Sequence, residues 1–167
     1  MTINQKKKIE DFLTALPKRE RCIYRDIAEY AIELGYTPSQ EKNAHGAVIA
    51  LVFTKSKVSK RLIKIHPPDV YSDETEFKIQ FYAATHYSDF IHERVRREFE
   101  ESGSTSCESN CSHCLGKYTY IYPDGREVYH CYMRSLLKLS PVGTEHINEI
   151  KKLMKIQVEF WLERCSK

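Results

Sequence analysis

The stretch from Lys117 to Met133 constrains the fold most. Two alternating runs rich in Tyr and Val flank Pro123-Asp124-Gly125. Proline presets φ for a turn, aspartate caps it, and glycine accepts the positive φ that most residues resist. The stretch predicts a β-hairpin in which Tyr122 faces Arg126. That register sets Tyr118 against His130 and Lys117 against Cys131.

The periodicity on either side fills in the rest. Residues 4–16 read as a helix with Ile9, Phe12, Leu13 and Leu16 on one face, ending before Pro17. A second helix runs from about Glu20 to Leu34 with a stripe of Ile23, Ile27, Tyr30, Ala31 and Leu34; Gly35 is its stop. Residues 36–42 form an edge strand weakened by Pro38. Residues 47–54, apolar and β-branched, form a central strand. Residues 58–66 alternate and suit a strand with one wet face. Residues 77–83 place Phe77, Ile79 and Phe81 together. A helix over 88–102 carries Ile91, Val95 and Phe99. Thr144 is a candidate N-cap for a last helix to about Arg164, striped by Ile147, Ile150, Met154, Val158, Trp161 and Cys165. This order is α+β: a mainly antiparallel sheet with helices packed on one face, in a single domain over 1–167.

Composition narrows the class. The chain has 167 residues, 41% of them hydrophobic, enough for one core. A net charge of +3 does not demand a nucleic-acid partner. Lys6-Lys7-Lys8 precedes apolar residues, as in a signal peptide, but Glu10 and Asp11 interrupt the apolar region. No run approaches the roughly 18–20 apolar residues of a membrane span. The expectation is a cytoplasmic protein without a membrane partner. Cysteines there stay reduced, so clustered ones read as metal ligands or catalytic groups before disulfides.

Of the six cysteines, three lie within eight residues: Cys107-x₃-Cys111-x₂-Cys114. Cys131 follows after sixteen intervening residues, at the hairpin position opposite Lys117. Tetrahedral zinc takes four ligands, with Zn–S of about 2.3 Å, so thiolates must converge from two segments. Cys111-Ser-His-Cys114-Leu-Gly116 looks like the knuckle of a zinc ribbon, with a glycine where the chain reverses. Opposite Lys117, Cys131 is three residues from Cys114, about 10 Å along a strand, which a folded-back knuckle closes. Cys107 completes the set from a loop, Gly103 to His113, with almost nothing apolar to bury. The metal-binding loop and hairpin thus occupy 103–133. His113 and His130 are reserve ligands; by alternation His130 points away from Cys131, while His113 could replace Cys107. An iron–sulfur centre is the second metal reading. The three-cysteine spacing also matches the cluster motif of radical SAM enzymes, but the chain is too short for their barrel and His113 stands where they usually have an aromatic.

Four protein ligands leave no position for water, so such a zinc stabilises and does not catalyse. No phosphate-binding glycine loop and no Ser/His/Asp or Cys/His arrangement appears, and His45, His66, His86, His92 and His146 are dispersed. No catalytic residue is assigned. Cys22 and Cys165 read as helix core residues. Tyr118, Tyr120 and Tyr122 share a strand face; tyrosines there fill half-buried positions, or beside Lys117 and Arg126 they stack on single-stranded nucleic acid. Lys55, Lys57, Lys60, Arg61 and Lys64 form a basic stretch in which Lys60 and Lys64 share a face and Arg61 takes the other. Lys6–Lys8 and Arg94, Arg96, Arg97 are further basic patches. Solvated faces account for all three.

The segment Cys114-Leu-Gly-Lys-Tyr-Thr-Tyr-Ile-Tyr-Pro-Asp-Gly-Arg-Glu-Val-Tyr129 resembles a segment of uncharacterised bacterial proteins that carry a Cys-rich loop before a KYTYIYPDG-like hairpin and end in a helix. The element order is loosely similar to the YdhG-like, iron-chaperone-like α+β family. Neither resemblance implies a catalytic residue, and the acidic surface that an iron chaperone needs is absent from the pattern of Glu and Asp. The expected function is a non-enzymatic zinc-binding protein or interaction module. The alternatives are a nucleic-acid-binding protein using the Tyr hairpin and basic residues, and a metal- or thiol-dependent enzyme with an open site. The sequence specifies neither a partner nor an oligomeric state.

Overall fold

Helix α1 (Ile3–Leu13) starts with a reciprocal cap. The Gln5 N–H donates to Thr2 Oγ1 at 3.2 Å and the Thr2 N–H to Gln5 Oε1 at 2.7 Å, so two backbone donors at the helix start find partners. These positions belong to a computed structural model, which describes residues 1–56, 60–70, 72–81, 84–85, 88–98, 118–130 and 136–165. Helix α2 (Arg21–Glu33) ends as Gly35 predicts. Gly35 has φ +83°, its N–H donates to Ile32 O at 2.8 Å, and the Tyr36 N–H donates to Ala31 O at 3.1 Å. Both bonds close carbonyls that a helix end leaves open. Arg25 clamps the two helices with a two-pronged bond to Glu10, at 3.0 and 2.9 Å.

Strands β1 (Thr37–Lys42), β2 (Val48–Lys55), β3 (Lys60–His66), β4 (Glu76–Gln80) and β8 (Leu136–Lys138) form one antiparallel sheet in the order β1-β2-β3-β4-β8. A second sheet joins β5 (Ala84–Thr85), β6 (Tyr118–Ile121) and β7 (Glu127–His130) in that order, with β5 parallel to β6. Between them in sequence lies α3 (Asp89–Arg96), and α4 (Ile147–Cys165) closes the chain order.

One face of the larger sheet carries the core. Leu51 pairs with Ile65 and Ile65 with Phe77; Phe53 pairs with Ile63, then Ile79 and Leu137. All are at most 1% exposed and share a cluster with Ile9 and Phe12 of α1, Ile27 and Ala31 of α2, Ile91 and Val95 of α3, and Ile150 and Met154 of α4. The helices therefore pack on this face, as the stripes predict. The other face runs Val52, Lys64, Lys78, Lys138 in cross-strand register.

Several expectations change. The hairpin does not extend the main sheet; it belongs to a second one. Strand β8 was not expected, because three residues of Leu-Leu-Lys have no periodicity of their own and become a strand only against β4. The last helix is preceded by a 3₁₀ turn, Thr144–His146, and Thr144 is not its cap: the Gly143 N–H donates to His146 Nδ1 at 3.0 Å. Arg61 does not oppose Lys64 in face. A bulge inserts Leu62 between the pairs Phe53/Ile63 and Thr54/Arg61, which inverts the alternation. Leu62 and Ile63 both enter the core, and Arg61 joins Lys64 on Glu41, at 3.2 and 2.7 Å. Cys22 is exposed and not a core residue, its thiol 3.9 Å from Arg19 O. The side chain of Cys165, the end of the helix beyond Glu98, and Phe99 lie outside the described residues.

Candidate functional site

The turn of the hairpin forms as its residues dictate. The Gly125 N–H donates to Tyr122 O at 2.9 Å and the Tyr122 N–H to Arg126 O at 2.8 Å. Gly125 holds φ +84°, the left-handed position that closes a three-residue hairpin loop. Asp124 Oδ1 accepts the Arg126 N–H at 3.0 Å and Oδ2 meets Arg126 Nε at 2.7 Å; these bonds hold the Asp124 carboxyl below its ordinary pKa. Tyr118 pairs with His130, Thr119 with Tyr129, Tyr120 with Val128 and Ile121 with Glu127. This is the register set by Tyr122 facing Arg126.

Of the six sequence-predicted ligands, five (Cys107, Cys111, His113, Cys114 and Cys131) lie outside the described residues. His130 is described in its backbone, at the end of β7 opposite Tyr118. Among the described residues no group of three or more His, Cys, Asp or Glu is placed to hold a metal ion.

Two of the hairpin tyrosines are packed inward. Tyr120 and Tyr122 are 1% and 6% exposed. Tyr120 meets Phe81 at 5.8 Å between centroids, Tyr122 edge-on at 5.0 Å and His92 at 5.5 Å, and its hydroxyl hydrogen-bonds His92 Nδ1. These rings fasten β6 to α3 and the end of β4. They present no face to a base.

The described side chains of the basic stretch, Lys55, Arg61 and Lys64, are occupied. Lys55 Nζ donates to Leu34 O at 3.1 Å, at the end of α2. Lys78 and Lys138 share Glu76, at 2.6 and 3.2 Å, and His66 lies 3.8 Å from the same carboxylate. Burial opposes ionisation of Glu76, but the bonds and charges of the two lysines outweigh it and its pKa falls. The Lys64 hydrogen bond, aided by Arg61, likewise lowers the pKa of Glu41 against the effect of burial. Burial, then the nearby lysines, lowers that of His66. In α3, Arg96 and Arg97 both pair with Glu93. Lys57 and the side chain of Lys60 are outside the described residues.

A cleft of about 260 Å³ opens between α3 and β8, lined by Glu74, Arg94, Arg97, Glu98, Lys138 and Ser140. Arg94 differs from its neighbours: its guanidinium lies over the Phe90 ring at 5.4 Å, with no carboxylate within 4.0 Å among the described residues. In the sequence Arg94 is lost among Glu93, Arg96, Arg97 and Glu98, and no local signal marks it out.

Comparisons with protein-family models, curated proteins and solved structures give no match. No helix among the described residues is long and apolar enough to cross a membrane.

Proposed function

We propose that this is a non-enzymatic zinc-binding protein or interaction module in which Cys107, Cys111, Cys114 and Cys131 hold a structural zinc ion that clips the loop beginning at Gly103 to the hairpin. The observation carrying the proposal is the hairpin register. Tyr118 and His130 are cross-strand partners, so the chain leaves the hairpin along two neighbouring strands, about 4.8 Å apart, at the same end. Cys131 is the next residue on one side, and Cys114 stands four residues before Tyr118 on the other. The three-cysteine spacing supplies the remaining thiolates, and zinc suits an all-thiolate set without redox chemistry.

Replacing Cys114 by Ser tests the assignment: metal content per chain and melting temperature fall together, because binding energy in such a site is folding energy. Unchanged values of both contradict it. A nucleic-acid role is less well supported, since Tyr120 and Tyr122 are buried and the described lysines and arginines of the basic stretch are occupied by Leu34 O and Glu41.

A further inference from the structure

We infer that the cleft between α3 and β8 binds a singly charged oxyanion, a carboxylate or a phosphodiester, with Arg94 as the principal donor. Arg94 is half-buried and, of the arginines whose side chains are described, it alone has neither a hydrogen bond nor an ion pair. A guanidinium carries five N–H donors in a fork suited to two oxygens. Leaving them unmatched while withdrawing the group from water is costly. Burial and the charge of Arg97 disfavour the cation and lower its pKa, against the weaker opposing charges of Glu93 and Glu74.

The group is also held in place without using those donors. It lies over Phe90, Phe90 stacks on His146 at 3.8 Å and 8°, and the Gly143 N–H fixes His146 at 3.0 Å. This three-layer stack orients the guanidinium before any ligand arrives, and a pre-organised donor loses less freedom on binding.

Charge bookkeeping selects the ligand. Arg96 and Arg97 share the single carboxylate of Glu93, and Lys78 and Lys138 share that of Glu76; with Arg94 that makes five cations against four carboxylates once Glu74 and Glu98 on the cleft walls are counted. One cation is left to be matched, so a single negative charge fits and a dianion is opposed by the two wall carboxylates. Ser140 Oγ accepts the Phe77 N–H at 2.6 Å, which leaves its own proton to donate. The volume of about 260 Å³ is below that of cofactor-sized pockets and suits a small group or the end of a chain.

The test follows the Arg94 Nε–H signal of the full-length ¹⁵N-labelled protein as acetate, diethyl phosphate or inorganic phosphate is added, with sodium chloride at matched ionic strength as control. Saturable shifts with acetate or diethyl phosphate, at a Kd of about 1–10 mM, support the site and say which oxyanion it takes. Inorganic phosphate at neutral pH binds more weakly. Arg94→Gln raises the Kd about tenfold or more, measured on remaining cleft signals, whereas Arg94→Lys raises it less; both variants keep the wild-type melting temperature within about 2 °C, as half-exposed substitutions do. A shift equal to that of chloride, tightest binding of phosphate dianion, or an unchanged Kd in Arg94→Gln overturns the inference. None of these outcomes depends on the metal assignment.

Discussion

Replacing Glu76 by Gln isolates the electrostatics of the sheet's polar face. Glu76 is 29% exposed and touches Lys78 at 2.6 Å and Lys138 at 3.2 Å. Two partly exposed ion pairs contribute about 1 kcal/mol together. The lysines are direct cross-strand partners, and with the carboxylate gone their ammonium groups repel across one strand spacing. Two like charges about 6 Å apart cost about 0.7 kcal/mol in a water-like dielectric and more near a protein surface. The expected loss is about 2 kcal/mol, or roughly 4–8 °C in Tm for a domain of this size. Urea unfolding at about 25 mM and about 1 M NaCl measures it. At high salt the penalty shrinks by more than half, since the screening length falls to about 3 Å. The double variant Glu76→Gln, Lys78→Met recovers at least about half of the loss by removing one repelling charge. A penalty below about 0.5 kcal/mol, or one insensitive to salt, refutes the reasoning.

Acid should destabilise the fold in two stages. His66 has a lowered folded pKa, so its contribution is full above the unfolded value of about 6.5 and is lost as pH falls below it. Glu76 and Glu41, also lowered, contribute above about pH 4.3 and lose that contribution as pH falls through their folded values; a pH series of urea midpoints shows both limbs, and the lower one is shallower in Glu76→Gln. Gly125→Ala meets no atom within 4 Å but must adopt φ +84°, so it costs about 1–2 kcal/mol from backbone strain alone, read from the urea midpoint. Glu149 accepts both the Ser88 N–H, at 2.8 Å, and the Ser88 hydroxyl at the start of α3. Glu149→Ala therefore costs about 1–2 kcal/mol in the same assay, as loss of a helix cap does.

What could be read in the sequence was what local chemistry decides. The turn at Pro123-Asp124-Gly125 and the stop at Gly35 follow from residues that few other conformations suit. The stripes of α1, α2 and α4 follow from a helical period sustained over several turns. Features set by partners distant in sequence escaped. Leu136–Lys138 became a strand only because β4 offered an edge. Ala84–Thr85 pairs parallel to β6 over two residues, too few to leave a pattern. Arg61 changed face because of a bulge at Leu62, and alternation cannot anticipate an inserted residue. Tyr120 and Tyr122 were legible as a face, but whether that face met water or α3 depended on His92 and Phe81. The cleft is the extreme case: Arg94 is distinguished from Arg96 and Arg97 only by what it fails to touch.

The central claim is that four thiolates enclose one zinc ion at the base of the hairpin. X-ray absorption at the zinc edge of purified, untagged protein, combined with metal quantification, tests it most directly. The account predicts about one zinc per chain, a colourless solution, and a first shell of four sulfur atoms at about 2.3 Å. A protein without stoichiometric zinc, a brown iron-containing sample, or a shell with an oxygen atom from water would contradict it.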